Sequence, residues 1–79
     1  MPDHLMIPPE ARRQIHTLPE GLRKTAREAI FSLLDDAHPI GSRPHAGVED
    51  MYWLELEELT IYYNAYGTGT VIVQQVTIN

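Results

Sequence analysis

The amino-acid sequence predicts one α+β domain over residues 1–79, with elements in the order β-α-α-β-β-β. We expect a curved antiparallel sheet with an N-terminal helical hairpin packed on one face. Apolar residues recur at helical spacing before Pro39 and alternate with polar residues after Gly47. Prolines and glycines separate these segments. A chain of 79 residues with 43% hydrophobic residues can fill one core and is too short for two.

The N-terminal half predicts a short strand and two helices. Residues 4–7 form an apolar run that ends at Pro8, which is typical of a brief strand or an extended arm. Pro9 suits the first turn of a helix, and Pro19 ends that helix and begins the next. The first helix has apolar residues at Ala11, Ile15 and Leu18. The second has an apolar stripe of Leu22, Ala26, Ile30, Leu33 and Leu34, with Ala29 at its edge, and Pro39 ends it.

The C-terminal half predicts three strands, at residues 51–57, 59–64 and 71–78, joined by turns at 57–58 and 66–69. Because side chains alternate between the faces of a strand, each strand has a core side and an open side. The predicted core side comprises Tyr52, Leu54, Leu56, Leu59, Ile61 and Tyr63. The predicted open side comprises Trp53, Glu55, Glu57, Thr60 and Tyr62.

Composition excludes several classes of function. A net charge of −5 repels phosphate, which disfavours a general binder of nucleic acid or anionic membrane. The absence of cysteine excludes disulfides, thiolate zinc sites and a cysteine nucleophile. No apolar run approaches the roughly 20 residues of a membrane span, and the first residues do not resemble a signal peptide. We therefore expect a cytoplasmic protein that has no cofactor and does not contact membranes.

The four histidines do not predict a metal site. His4, His16, His38 and His45 show no recognised ligand spacing such as i, i+4 on one helix. His38 follows Asp35 and Asp36, but a histidine near the end of the second helix is explained by the helix dipole. We therefore assign no metal ligand.

Residues 38–44 (HPIGSRP) contain the sequence Pro-x-Gly-Ser-Arg, and Gly47 follows. This segment resembles a loop of the RelE/ParE superfamily of bacterial toxins from toxin–antitoxin modules. The paired segments at 52–56 and 59–63 are similar to the family's hairpin strands. The resemblance covers nearly the whole chain. It implies the RelE-like fold, an antitoxin partner and, in the ribosome-dependent members, cleavage of messenger RNA.

The residues that would carry this cleavage differ here. The family pattern has basic residues where this chain has Trp53 and Glu55, and an arginine where it has Thr60. Residues 1–28 hold five basic and four acidic residues, a net charge of +1. Residues 29–79 hold Arg43 against seven acidic residues, a net charge of −6. We therefore assign no catalytic residue and leave open whether the chain is an enzyme.

The candidate site is a partner-binding surface formed by Trp53, Glu55, Thr60 and Tyr62, because exposed aromatic residues mark interfaces. Two alternatives are a catalytic site in which Glu55 handles protons, and aromatic residues that only cover the sheet beside a solvated Glu55. Arg43 is the candidate phosphate contact, and its alternative is an ion pair with Glu49 or Asp50.

Three functions follow from these observations. The leading hypothesis is a toxin-fold protein that acts mainly by binding an antitoxin-like protein, with messenger cleavage lost or altered. The second is an endoribonuclease with rearranged catalytic residues, such as Arg43, Tyr62 or a histidine. The third is a stand-alone interaction domain that forms a homodimer. The net charge disfavours RNA or the ribosome as a partner.

Overall fold

A computed structural model describes residues 4–79 of the chain. The strands are β1 (His4–Met6), β2 (Ser42–Pro44), β3 (Met51–Glu55), β4 (Leu59–Ala65) and β5 (Thr70–Ile78). The helices are α1 (Pro9–His16) and α2 (Glu20–Ser32). The strands form one sheet in the order β1-β5-β4-β3-β2. The predicted α+β fold, with the hairpin of α1 and α2 on one face of the sheet, is confirmed.

Prolines mark the starts of both helices, but α2 ends at Ser32, seven residues before Pro39, where the sequence predicted its end. Pro8 precedes α1 and Pro19 precedes α2, so each helix begins where the ring restricts the backbone and no N–H group is lost from the helix. The Arg12 guanidinium donates hydrogen bonds to the Ile7 carbonyl at 3.0 and 3.2 Å, which ties α1 to the end of β1. The Gln14 side-chain oxygen accepts a 2.8 Å hydrogen bond from the Val76 N–H, which joins α1 to β5.

Most of the predicted core is buried, whereas Leu22, Tyr52 and Leu56 are only partly buried against it. α1 packs on β5 and α2 packs on β4, with the apolar stripes facing the sheet. Leu33 lies in the turn just after α2 and is fully buried, whereas Leu34 is half-buried. The buried hydrophobic residues are Ala11, Ile15, Leu18, Ala26, Ile30, Leu33, Leu54, Leu59, Ile61, Tyr63, Ala65, Val71, Val73 and Val76.

The sheet differs from the prediction in two ways. First, it is mixed rather than wholly antiparallel, because β1 pairs in parallel with β5, with His4 opposite Thr70. Second, residues 42–44 form a strand, β2, that pairs with β3 in a segment predicted as loop. Alternation of apolar and polar residues indicates which face a side chain takes, but not which strands become neighbours.

The turns lie where they were predicted. β3 ends at Glu55, and the Leu56 N–H donates a 2.8 Å hydrogen bond to the Leu59 carbonyl across the β3–β4 turn. The Gly69 N–H closes the β4–β5 turn on the Tyr66 carbonyl at 3.0 Å, and Gly69 has a φ of 91°, which favours glycine. Within residues 4–79, no helix is long and apolar enough to cross a membrane.

Candidate partner-binding site

The face of the sheet that points away from the helices carries the predicted site, and we call it the open face. One row of cross-strand neighbours contains Arg43, Trp53, Tyr62 and Gln75, from β2 to β5. A second row contains Glu55, Thr60 and Thr77. The structure therefore brings the four predicted partner-binding residues and Arg43 together on one surface.

Trp53 lies in the middle of an aromatic group on this face. Its ring centroid lies 6.0 Å from that of Tyr62 and 5.9 Å from that of His45, and both contacts are edge-to-face. The indole Nε1 is buried and has no hydrogen-bond partner within residues 4–79. A buried donor without a partner costs about 1–3 kcal/mol. An acceptor supplied by a bound molecule would remove this cost.

Glu55 and Thr60 lie opposite each other but in different environments. Glu55 is exposed at the end of β3, whereas Thr60 is only 8% exposed. The Thr60 hydroxyl donates a hydrogen bond to the Asn79 side-chain oxygen. The Asn79 amide in turn donates a 2.9 Å hydrogen bond to the Leu56 carbonyl. Thr60 thus holds the C-terminal residue against the β3–β4 turn, and Glu55 is the member of this pair that solvent reaches.

The rest of the open face carries neutral polar side chains near Tyr62 and, in the row of Asn64, the apolar residues Met51, Ile72 and Met6. The register between β4 and β5 shifts between Tyr62 and Tyr63, which leaves Gln74 as an extra residue in β5. Its amide donates a 2.6 Å hydrogen bond to the Asn64 side-chain oxygen. Gln75 is exposed beside Tyr62. Neutral amides beside aromatic rings can form hydrogen bonds with a peptide, but they cannot neutralise the charge of a phosphate.

Arg43 is the only arginine in the five strands, which contain no lysine, and Glu55 is their only acidic residue. Arg43 is exposed, and its guanidinium makes no hydrogen bond or ion pair within residues 4–79. The alternative pairing of Arg43 with Glu49 or Asp50 is therefore not present in the described part of the chain. A phosphodiester bound on the open face would meet one cation.

The core side of the sheet holds Tyr63, a buried tyrosine whose pKa is raised above its usual value. The hydroxyl of the buried Tyr63 donates a 2.7 Å hydrogen bond to the Ala37 carbonyl, which fixes the loop after α2. Burial raises the pKa of Tyr63, and the nearby Tyr52 and Asp36 add to this, although a hydrogen bond with Ser42 opposes it. Tyr63 therefore acts as a neutral structural anchor.

The histidines are dispersed. No group of three or more His, Asp or Glu side chains that could hold a metal ion occurs in residues 4–79. The His38 backbone N–H donates a 2.9 Å hydrogen bond to the Asp36 side chain, and its ring contacts Tyr52 edge-on at 4.5 Å. His45 contacts Trp53. These two rings thus pack against aromatic residues of β3.

The hairpin of α1 and α2 also forms an apolar surface, which we call the hairpin groove. This groove has a volume of about 530 Å³ and mainly apolar walls between α1 and α2. Phe31 is 58% exposed at its edge. The residues that line it are Ile7, Pro9, Arg12, Arg13, Ile15, His16, Arg27, Ile30 and Phe31. The only signal in the sequence was a phenylalanine outside the apolar stripe of α2.

The comparisons with known proteins identify the fold. The chain is similar to a protein of the RelBE2 toxin–antitoxin complex of Mycobacterium tuberculosis, with a TM-score of 0.85, 18% identity and full coverage of both chains. It is similar to the isolated RelE toxin of E. coli, with a TM-score of 0.80, 17% identity and coverage of 95% of this chain and 82% of that one. No family model matches the sequence. No curated protein matches it significantly.

A third similar structure is the intact RelBE toxin–antitoxin complex of E. coli, with a TM-score of 0.79 and 17% identity over 92% of each chain. At these identities the comparisons show the fold. The chain has the α+β fold of RelE toxins, as the short sequence matches predicted.

Proposed function

We propose that this chain, which has the fold of RelE toxins, is the toxin-fold member of a toxin–antitoxin type pair and acts mainly by binding a protein partner. We further propose that it does not cleave messenger RNA on ribosomes as basic members of the superfamily do. Solved proteins of this fold form complexes with antitoxins, which supports a partner of the same kind here.

The single observation that carries the proposal is the charge of the sheet. Its strands contain one cation, Arg43, whose cross-strand neighbour is Trp53, and one acidic residue, Glu55. Cleavage at a phosphodiester develops negative charge that preorganised cations stabilise, and each lost donor costs about 3–4 kcal/mol. Binding of a nucleic-acid backbone likewise depends on several Lys or Arg contacts. One arginine is too few for either role.

The open face instead has the features of a protein interface. Trp53 and Tyr62 supply aromatic contact area. The Trp53 indole N–H has no hydrogen-bond partner within residues 4–79, so it can donate to an acceptor such as a peptide carbonyl. Glu55 supplies an exposed charge at one end, while Thr60 keeps Asn79 in place. We assign the partner contacts to Trp53, Glu55 and Tyr62. Thr60 supports this surface indirectly, because its hydroxyl holds Asn79 beside the β3–β4 turn.

The hairpin groove extends this proposal to the other side of the molecule. Its apolar walls are bordered by Arg12, Arg13 and Arg27. Long basic side chains around an apolar groove suit an amphipathic segment that carries acidic residues on its polar side. The groove therefore adds apolar area and complementary charge for the same partner.

The experiment begins with the neighbouring reading frame. Its product is co-expressed with this chain, and complex formation is measured by co-purification and titration calorimetry. We expect a stable complex that is weakened by Trp53→Ala and kept by Glu58→Gln, a change in the β3–β4 turn. Failure of every neighbouring product to bind would overturn the partner proposal.

Induced expression of this chain alone tests the second part of the proposal. We expect weak or no growth arrest and no cuts in ribosome-bound messenger RNA. Strong arrest with messenger cuts in the ribosomal A site would instead favour the endoribonuclease alternative. In that event Arg43→Ala and Tyr62→Phe would identify the residues responsible.

A measurement of the oligomeric state distinguishes the homodimer alternative from the partner-binding and endoribonuclease hypotheses. We expect the free chain to be a monomer in analytical ultracentrifugation at micromolar concentration. A dimer that Trp53→Ala dissociates would favour the stand-alone interaction domain.

A further inference from the structure

A second cavity lies at the end of the sheet where the loop after α2, the start of β3 and the β4–β5 turn meet. It has a volume of about 390 Å³ and mostly polar walls. The polar and ionisable side chains among its lining residues are His38, Asp50, Tyr52 and Tyr66. We call this cavity the turn pocket. It is separate from the residues assigned to the open face and the hairpin groove.

Asp50 supplies the only acidic group among the residues that line the turn pocket. Its backbone is held in the left-handed region at a φ of 61°, and its carbonyl accepts hydrogen bonds from Ala65 and Asn64. Within residues 4–79, the Asp50 carboxylate itself has no hydrogen-bond or ion-pair partner. The pocket thus contains a carboxylate on a fixed backbone that is available to a ligand.

Aromatic rings line the pocket beside this carboxylate. The Tyr52 ring stacks on Tyr63 at a centroid distance of 5.8 Å and meets His38 edge-on at 4.5 Å, so its position is fixed. Tyr66 is 40% exposed in the adjoining turn. A carboxylate beside aromatic rings is the chemistry that recognises an organic cation.

The charge around the pocket favours the same ligand. The Asp36 side chain accepts a hydrogen bond from the backbone of His38, which lines the pocket. The only Lys or Arg in residues 29–79 is Arg43, and it does not line the pocket. A phosphate would be repelled by Asp50. One lining carboxylate is too few for a metal ion, in keeping with the absence of any metal-binding group in the described residues.

We infer that the turn pocket receives a basic side chain, lysine or arginine, of the protein partner, held by Asp50 and the rings of Tyr52 and Tyr66. The inference rests on the proposed function for the existence of that partner. It agrees with the net charge of −6 over residues 29–79, which calls for basic residues in whatever covers this half of the molecule.

The pocket is tested directly with short capped peptides. Isotope-labelled protein is titrated with acetyl-Gly-Lys-Gly-amide, its arginine counterpart and its norleucine counterpart, and backbone amide shifts are followed by NMR. We expect saturable shifts at Tyr66, Gly67 and Gly69 with the two basic peptides and none with norleucine. Asp50→Asn should weaken binding about three- to tenfold, because a charge-assisted contact is lost at a half-buried site.

Glu57→Gln is the matched control. It removes the same charge at the opposite end of β4, in the β3–β4 turn, and should leave peptide affinity unchanged. Equal shifts from the norleucine peptide, or equal affinity of Asp50→Asn and the parent protein, would overturn the inference. Shifts produced by free 1,5-diaminopentane but by neither basic peptide would overturn the protein partner as the source of the cation.

The same variants separate this inference from the proposed function. If Asp50→Asn binds the neighbouring gene product with full affinity, the inference about the turn pocket is refuted and the partner proposal stands. Binding of the basic peptides without any protein complex would refute the partner and keep the chemistry of the pocket.

Discussion

The unpaired indole N–H of Trp53 leads to a prediction in which stability and binding change in opposite directions. Trp53→Phe keeps an aromatic ring between His45 and Tyr62 but removes the buried donor. Removal of a buried donor without a partner returns about 1–3 kcal/mol to the folded state. The smaller ring gives up roughly 40 Å² of buried apolar area, worth about 1 kcal/mol. We therefore expect the free energy of unfolding to stay equal to the parent value or to rise by up to about 2 kcal/mol.

The complex should respond in the other direction. If a partner carbonyl accepts the Trp53 N–H, Trp53→Phe removes that hydrogen bond and leaves the carbonyl unpaired. The combined cost of about 1–2 kcal/mol weakens binding roughly 5- to 30-fold. Urea denaturation measures the first quantity, and titration calorimetry with the partner measures the second.

Trp53→Ala is the comparison variant for this experiment. It removes the ring as well as the donor, and each edge-to-face contact is worth about 0.5–1.5 kcal/mol. We expect it to destabilise the free protein and weaken the complex together. The reasoning is refuted if Trp53→Phe lowers the free energy of unfolding by more than about 2 kcal/mol, or if its partner affinity equals that of the parent protein.

Three further predictions concern the core, pH and the hairpin groove. Leu33→Ala should lower the free energy of unfolding by about 2–5 kcal/mol in urea denaturation, because the side chain is fully buried; a loss below about 1 kcal/mol would contradict its core position. The pKa of Tyr63 is raised in the folded state, so the unfolded state loses its proton first and stability should fall as pH rises above about 10. This fall should be smaller in Tyr63→Phe, and an identical pH profile would speak against the assignment. Phe31→Ser should weaken the partner complex about tenfold in calorimetry while the free protein melts as before, whereas Thr25→Ala on the same helix should change neither.

Sequence reasoning succeeded where a local rule decides the outcome. Side-chain alternation placed Leu54, Ile61 and Tyr63 on the core side and Trp53 and Tyr62 on the open side, because the period of a strand is two residues. Pro9 and Pro19 marked the helix starts for a similar reason, since a proline ring restricts the backbone wherever it occurs.

The candidate site was predictable only in part. Trp53, Glu55, Thr60 and Tyr62 were expected on one face, and the register places them there. The sequence contained no sign that the Thr60 hydroxyl would bind Asn79 or that the Trp53 N–H would lack a partner. The Thr60 hydrogen bond depends on a residue that is distant along the chain. The unpaired Trp53 N–H depends on neighbouring rings that exclude water.

The sequence by itself determined the type and order of most elements, the faces of the strands and the uneven charge between the two halves. These follow from spacing, proline position and composition, which are local properties. Only the tertiary structure decided that β1 lies parallel beside β5 and that residues 42–44 join the sheet as β2. It alone decided that Asp50, Tyr52 and Tyr66 line one pocket. The physical reason is that strand neighbours and cavities are set by how the elements pack against one another, and no short segment of the chain encodes that packing.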